Sequence, residues 1–222
     1  MKDLREREIG FQGRITAGFT HEIKNVLAII KENSGLMEDI LSMLPQGSFP
    51  AAERLLRAIG SIRQQTERGV ELSNQLNRFA HMADHPKLRV DLNRIVEQIV
   101  ILSRRFARLK DVSLEAVVSA DQPVSVEMDP VGLQLALFTG MECCWNALPP
   151  GSGLTLTVTK RGSDGIVCFS CQGGLESQAG LMDKIVQSEE WNSLLEIMRD
   201  TGGGVETGQL EHSFLLKVPQ QE

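Results

Sequence analysis

Six residues, Pro45-Gln46-Gly47-Ser48-Phe49-Pro50, separate two long stretches of helical pattern, and two prolines flanking a glycine do not continue an α-helix. The first stretch runs from about residue 4 to 44 and the second from Ala51 to about Met82. In the first, Ile15, Phe19, Ile23, Val26 or Leu27, and Ile30 recur at the three-to-four spacing of one buried helical stripe. In the second, Leu55, Leu56, Ile59, Ile62, Val70, Leu72, Leu76 and Phe79 make the apolar side, with Arg, Gln and Glu on the other. Two such helices joined by a short turn form an antiparallel hairpin, and each stripe is more than one hairpin can cover. A second copy across a two-fold axis is the simplest cover. A dimeric four-helix bundle is therefore predicted for residues 1–84.

His21 lies off the apolar stripe. At about 100° per residue it sits about 200° from both Phe19 and Ile23, so it projects from the opposite, solvent-facing side. Asn25 follows one turn later on the same side, and Glu22 is adjacent in sequence. Imidazole is a competent nucleophile near neutral pH, and a neighbouring carboxylate can fix its tautomer and raise its basicity. His21-Glu22-Ile23-Lys24-Asn25, with the apolar run through Ile30, resembles the phosphoacceptor box of two-component sensor histidine kinases. The resemblance implies that His21 carries a phosphoryl group on a ring nitrogen and that Glu22 polarises the other nitrogen. It implies that Asn25 orients a water for dephosphorylation.

With 222 residues, 41% of them hydrophobic, the chain has material for one large or two small domains with a proper core. A net charge of −6 and a pI near 5.4 argue against a nucleic-acid-binding surface. No apolar run approaches the ~20 residues that cross a bilayer. The start, Met1-Lys2-Asp3-Leu4-Arg5-Glu6-Arg7-Glu8, is charged with no signal core behind it. The expectation is a cytoplasmic protein without membrane insertion. Only twenty residues precede His21, so a transmembrane receptor of its own is not expected. Cys143, Cys144, Cys168 and Cys171 fit reduced buried thiols better than a zinc site, because Cys143-Cys144 lacks the usual two-residue gap. No metal is expected on this chain.

After the linker Asp84-His85-Pro86-Lys87 the pattern changes. Arg89 to Asn93 opens a helix with Asp91 as N-cap, and Val112 to Leu114 and Val124 to Val126 are short strands. A helix follows Asp129-Pro130 and ends at Leu148-Pro149-Pro150-Gly151. Leu154 to Val158 and Ile166 to Ser170 alternate as strands; a helix spans Trp191 to Met198, a turn lies at Gly202 to Gly204, and the last strand runs from Ser213 to Pro219. Interleaved helices and strands predict an α/β sandwich over residues 85–222, and an α+β class for the whole chain. Val90-Asp91-Leu92-Asn93, Asp129-Pro130 with its helix, Ala147-Leu148-Pro149 through Gly153, and Gly202-Gly203 to Pro219 resemble, in order and spacing, the ATPase domain of histidine kinases.

The departures from that pattern matter more. Where the resembled family has magnesium-binding asparagines this chain has Thr139 and Cys143, and a neutral thiol is a poor ligand for a hard cation. At the strand-end acid that reads adenine stands Gln172, in Gln172-Gly173-Gly174, so Gly174 and Gln172 mark a degenerate pocket. In place of a glycine-rich phosphate cradle stands Ser188-Glu189-Glu190-Trp191-Asn192, whose carboxylates would repel a triphosphate. Glu142 to Ala147 could imitate a nucleotide box in another register, but that register misplaces the flanking apolar residues.

The expected function is a dimeric histidine phosphotransferase that passes phosphoryl groups between His21 and the aspartate of a response-regulator receiver domain, without ATP or any cofactor of its own. Magnesium would come on the receiver, and a sensor kinase is a further candidate partner. The Trp191 region is a candidate plug for the pocket near Cys143 and Gln172. Three alternatives stand beside this reading: an ATP-dependent kinase with a divergent pocket, a non-catalytic scaffold, and a phosphatase of a phosphorylated regulator that depends on Asn25.

Overall fold

The computed structural model describes residues 4–43, 52–82, 88–119, 122–173, 180–207 and 212–219. The turn at Pro45 to Pro50, the linker at Asp84 to Lys87, and Gly174 lie outside the described residues. Along the chain come α1 (Leu4–Met43), α2 (Ala52–Met82), β1 (Leu88–Asp91), α3 (Leu92–Leu109), β2 (Val112–Val117), β3 (Ser125–Met128) and α4 (Pro130–Ala147). Then follow β4 (Ser152–Arg161), β5 (Asp164–Gln172), α5 (Leu181–Val186), α6 (Glu189–Asp200), β6 (Gly204–Thr207) and β7 (Ser213–Val218). The class is α+β, a helical region followed by a layered α/β region. Packing divides the chain into two units: Thr16–Arg78, and the rest, which joins the chain as far as Ile15 to everything from Phe79 on. These units do not coincide with a break at residue 84.

The first unit is a hairpin of α1 and α2. Its seam on α1 is Gly18, Glu22 and Val26, and on α2 Ala58 and Gln75 are buried. Small residues let the helices close: a Cβ on Gly69 would stand 3.2 Å from Val26 Cγ1. This corrects the expected stripe. Phe19, Ile23 and Ile30 are half-buried flanks, and Leu27 is 58% exposed. The apolar arc is wider than one partner helix, and the close approach at Gly69 centres α2 on Val26. Leu36, Leu56, Ile59 and Val70 are exposed as well, so this single hairpin leaves apolar surface uncovered on both helices.

The other unit is built on a five-stranded sheet, order β2-β4-β5-β7-β6, with β2 parallel to β4 and the remaining neighbours antiparallel. The separate pair β1-β3 is antiparallel. Strand alternation puts Leu154, Leu156 and Val158 on the buried face opposite Cys171, Phe169 and Val167 of β5. Phe169 in turn faces Phe214 of β7, and the two rings stack at 4.6 Å. Sequence reading missed β1, β6 and α5. The first two are four residues each, and β1 ends on Asp91, which is also the N-cap of α3: its carboxylate accepts from Asn93 N at 3.1 Å. Gly202 and Gly203 masked the edge strand β6 as a longer turn.

Helix α4 is buried on every side from Pro130 to Met141, as a stretch apolar nearly all round must be. Asp129 caps it by accepting from Val131 N and Gly132 N at 3.1 Å each, and Pro130 supplies a first turn with no N–H to satisfy. On the sheet side Gly140 sits so close that a Cβ would come within 2.9 Å of the Phe169 ring. α6 runs antiparallel across α4: Thr201 at its end meets Gly132, and Glu190 at its start accepts from Asn146 Nδ2 at 3.0 Å. Phe138 is the hub of the helix layer, with Phe11, Phe106 and Trp145 at ring-centroid distances of 5.3, 5.3 and 5.6 Å. Phe11, from the third turn of α1, also meets Phe79 edge-on at 5.5 Å.

The two glycines Gly140 and Gly60 should respond oppositely to alanine. Gly140→Ala overpacks against a fixed ring and should destabilise by about 1–3 kcal/mol. Gly60 has nothing within 4 Å of an added Cβ, so Gly60→Ala should gain up to about 1 kcal/mol of helix propensity. Urea midpoints of the two variants, one lowered and one raised, check the assignment.

Candidate functional site

The α1–α2 hairpin presents His21 and Asn25 on its exposed side, one helical turn apart. Glu22 does not share that side. It is 8% exposed, and its Oε2 accepts from Arg68 Nη2 of α2 at 3.0 Å. Sequence reading put His21 and Asn25 on one side with Glu22 next to them in sequence; the fold sets His21 and Asn25 outward and turns Glu22 into the seam. Arg68 was missed because one arginine among the Arg, Gln and Glu of the outer face of α2 carries no motif. Its signal is spatial: it is the cation facing a carboxylate taken largely out of water.

In the α/β unit Cys143 is covered, whereas Gln172 is exposed. Thr139 and Cys143 lie one turn apart on α4, 6% and 1% exposed. The start of α6 lies against Cys143, with Ser188 hydrogen-bonding its thiol and Glu190 close by. Burial, reinforced by the charge of Glu190, pushes the Cys143 thiol up to about 12, so it is protonated at neutral pH. Cys144 is raised as well, by burial and by its contact with Cys171. Trp191, 7% exposed, sits edge-on to Phe214 at 5.1 Å and so packs on the sheet's buried face. Gln172 ends β5 in the open, paired with Gly153 of β4. Glu142 and Asn146, the alternative nucleotide register, both have protein partners: Glu142 takes a two-pronged ion pair from Arg14, one contact at 2.9 Å, and Asn146 donates to Glu190.

A magnesium nucleotide does not fit these residues. A hard cation asks for several oxygen ligands, and the two positions offer one hydroxyl and one protonated thiol. Among the described residues no three His, Cys, Asp or Glu side chains gather as a metal site. No described helix is long and apolar enough to cross a membrane.

A scan against protein-family models and a search of curated proteins found no match. Solved structures do match in chain path. The catalytic domain of histidine kinase ThkA is 14% identical, with a TM-score of 0.49, over 61% of this chain and 98% of that one. Acinetobacter baumannii histidine kinase AdeS is 11% identical at a TM-score of 0.47, over 91% of this chain and 98% of that one. A bacterial phosphotransferase is 11% identical at a TM-score of 0.44, covering 98% and 97%.

The seam pair can be tested directly. Removing Arg68 leaves a buried carboxylate short of a partner, and the half-exposed position of Arg68 moderates the loss. Arg68→Ala should therefore cost about 1–2 kcal/mol. Adding Glu22→Gln should recover part of it, and a double-mutant cycle in urea measures the coupling.

Proposed function

We propose that this chain is a histidine phosphotransferase of two-component signalling, working as a homodimer and without ATP. The observation that carries the reading is the placement of His21: an exposed imidazole on a rigid helix, with Asn25 beside it, away from the packed seam. A receiver domain docking on that side brings its phosphoaspartate and magnesium to the ring. A lone-pair nitrogen of neutral His21 forms the N–P bond while the acyl-phosphate P–O bond breaks and the aspartate leaves as carboxylate. The reverse step passes the group on. Glu22, turned into the seam on Arg68, acts on the ring through the helix setting it holds, and Asn25 serves only in loss of phosphate to water. The burial of Cys143 beneath the start of α6, and the misfit of a magnesium ion at Thr139 and Cys143, support transfer without ATP.

The test is label transfer from a phosphorylated receiver. His21→Ala should abolish incorporation without disturbing the oligomeric state. Glu22→Gln, which weakens the pair that sets the rotation of α1, should slow transfer at nearly unchanged receiver affinity. Asn25→Ala should spare transfer and slow hydrolysis of the phosphohistidine. Full incorporation into His21→Ala would refute the reading and leave a scaffold, and micromolar binding of Mg-ATP by calorimetry would favour a kinase.

The homodimer rests on uncovered apolar side chains, Leu27 and Leu36 on α1 and Leu56, Ile59 and Val70 on α2. A second hairpin would bury them as a four-helix bundle. Sedimentation at micromolar concentration should give a dimer, and Leu56→Lys with Val70→Lys should give a folded monomer.

A further inference from the structure

A groove of about 450 Å³ lies within the α/β unit, between the first turns of α1, the Leu135–Glu142 stretch of α4 and the start of α6. Its size is that of a small-molecule site. Phe11, Leu135, Phe138 and Ile197, each at most 5% exposed, form an apolar floor. Thr139 stands in that floor. It is more than nine-tenths buried, it lines the groove, and its hydroxyl has no hydrogen-bond partner among the described residues. A polar group so placed awaits a partner from the groove.

The charge of the rim chooses the partner's sign. Arg7 is paired with Glu196, and Arg14 with Glu142. Glu190 takes only a neutral donor, Asn146, and Glu6 and Glu189 have no ion-pair partner among the described residues. Glu6 and Glu189–Glu190 occupy the first turns of α1 and α6. The two helix N-termini supply roughly +0.5 charge each, so three carboxylates still leave an excess of about −2. The floor already seats one cation: the Arg14 guanidinium lies 4.8 Å from the centroid of the Phe138 ring.

We propose that this groove binds a small organic cation with an apolar body, its ammonium held by the Thr139 hydroxyl and the carboxylates of Glu189 and Glu190, and its hydrocarbon part on Phe11 and Phe138. Nucleotides and other anions are excluded by the same rim. The site needs nothing from His21, so its failure leaves the phosphotransfer reading standing.

The probe is 4-phenylbutylammonium, titrated calorimetrically into the full chain at low salt, with 4-phenylbutyrate as its anionic twin. The amine should bind at least about tenfold more tightly than the carboxylate, and added salt should weaken it. Thr139→Val should weaken the amine by about tenfold, the scale of one hydrogen bond to a charged group. Thr139→Ser, which keeps the hydroxyl, should restore binding, and Glu189→Gln with Glu190→Gln should flatten the salt dependence. Equal binding of amine and carboxylate, no binding of the amine, or an unchanged affinity in Thr139→Val with its melting midpoint intact would overturn the proposal.

Discussion

Helix α4 cannot face water, and much of the α/β unit is arranged to meet that constraint. Burying an apolar side chain is worth about 1.5–3 kcal/mol. A helix apolar on all faces therefore recruits cover from every direction. The sheet covers one side through Phe169 and Phe214, and α3 covers another through Phe106. α6 lies along a third, and the first turns of α1 close the remainder through Phe11, with Arg7 and Arg14 tied to Glu196 and Glu142. The start of α1 therefore belongs to the α/β unit, although the same helix continues as the first arm of the hairpin.

That enclosure bears on chemistry. Where α6 lies antiparallel on α4, Cys143 becomes a buried thiol beside Glu190 and Asn146 is engaged by the same carboxylate. Space remains on the other flank of α6, towards α1, and its rim is acidic. One packing solution thus buries the Cys143 thiol and leaves open a groove whose acidic rim is of the wrong sign for phosphate. The contacts that enclose the core helix also set the electrostatics of the groove beside it.

Much of this was legible in the sequence, because the signals were local. Asp91 was read as the N-cap of one helix and Asp129-Pro130 as the start of another, and both carboxylates make the capping hydrogen bonds there. Alternation from Leu154 to Val158 and from Ile166 to Ser170 gave two central strands, and the angle from Phe19 and Ile23 put His21 outside. What was not legible depended on partners distant in sequence. The four-residue strands β1 and β6 have too few residues for a period to show, and β1 exists because β3 pairs with it. The buried line of α1 could not be found from hydrophobicity, since its central member is a glutamate. Nor could the groove, whose walls come from segments more than a hundred residues apart.

That glutamate explains why His21 points outward. A carboxylate 8% exposed must face a donor, and Arg68 supplies one across the seam. The attraction contributes little net stability once desolvation is counted, but leaving either partner unpaired is costly, so the pair acts on geometry more than on stability. Rotating α1 by one residue about its axis, roughly 100°, would replace Glu22 in the seam by His21 or Ile23. Hydrophobicity alone would accept the Ile23 setting, since Phe19, Ile23 and Ile30 already border the seam. The Glu22–Arg68 pair rejects it. A helix whose apolar arc leaves its rotation ambiguous is fixed by one buried charge, and the adjacent imidazole inherits its exposed direction from that choice.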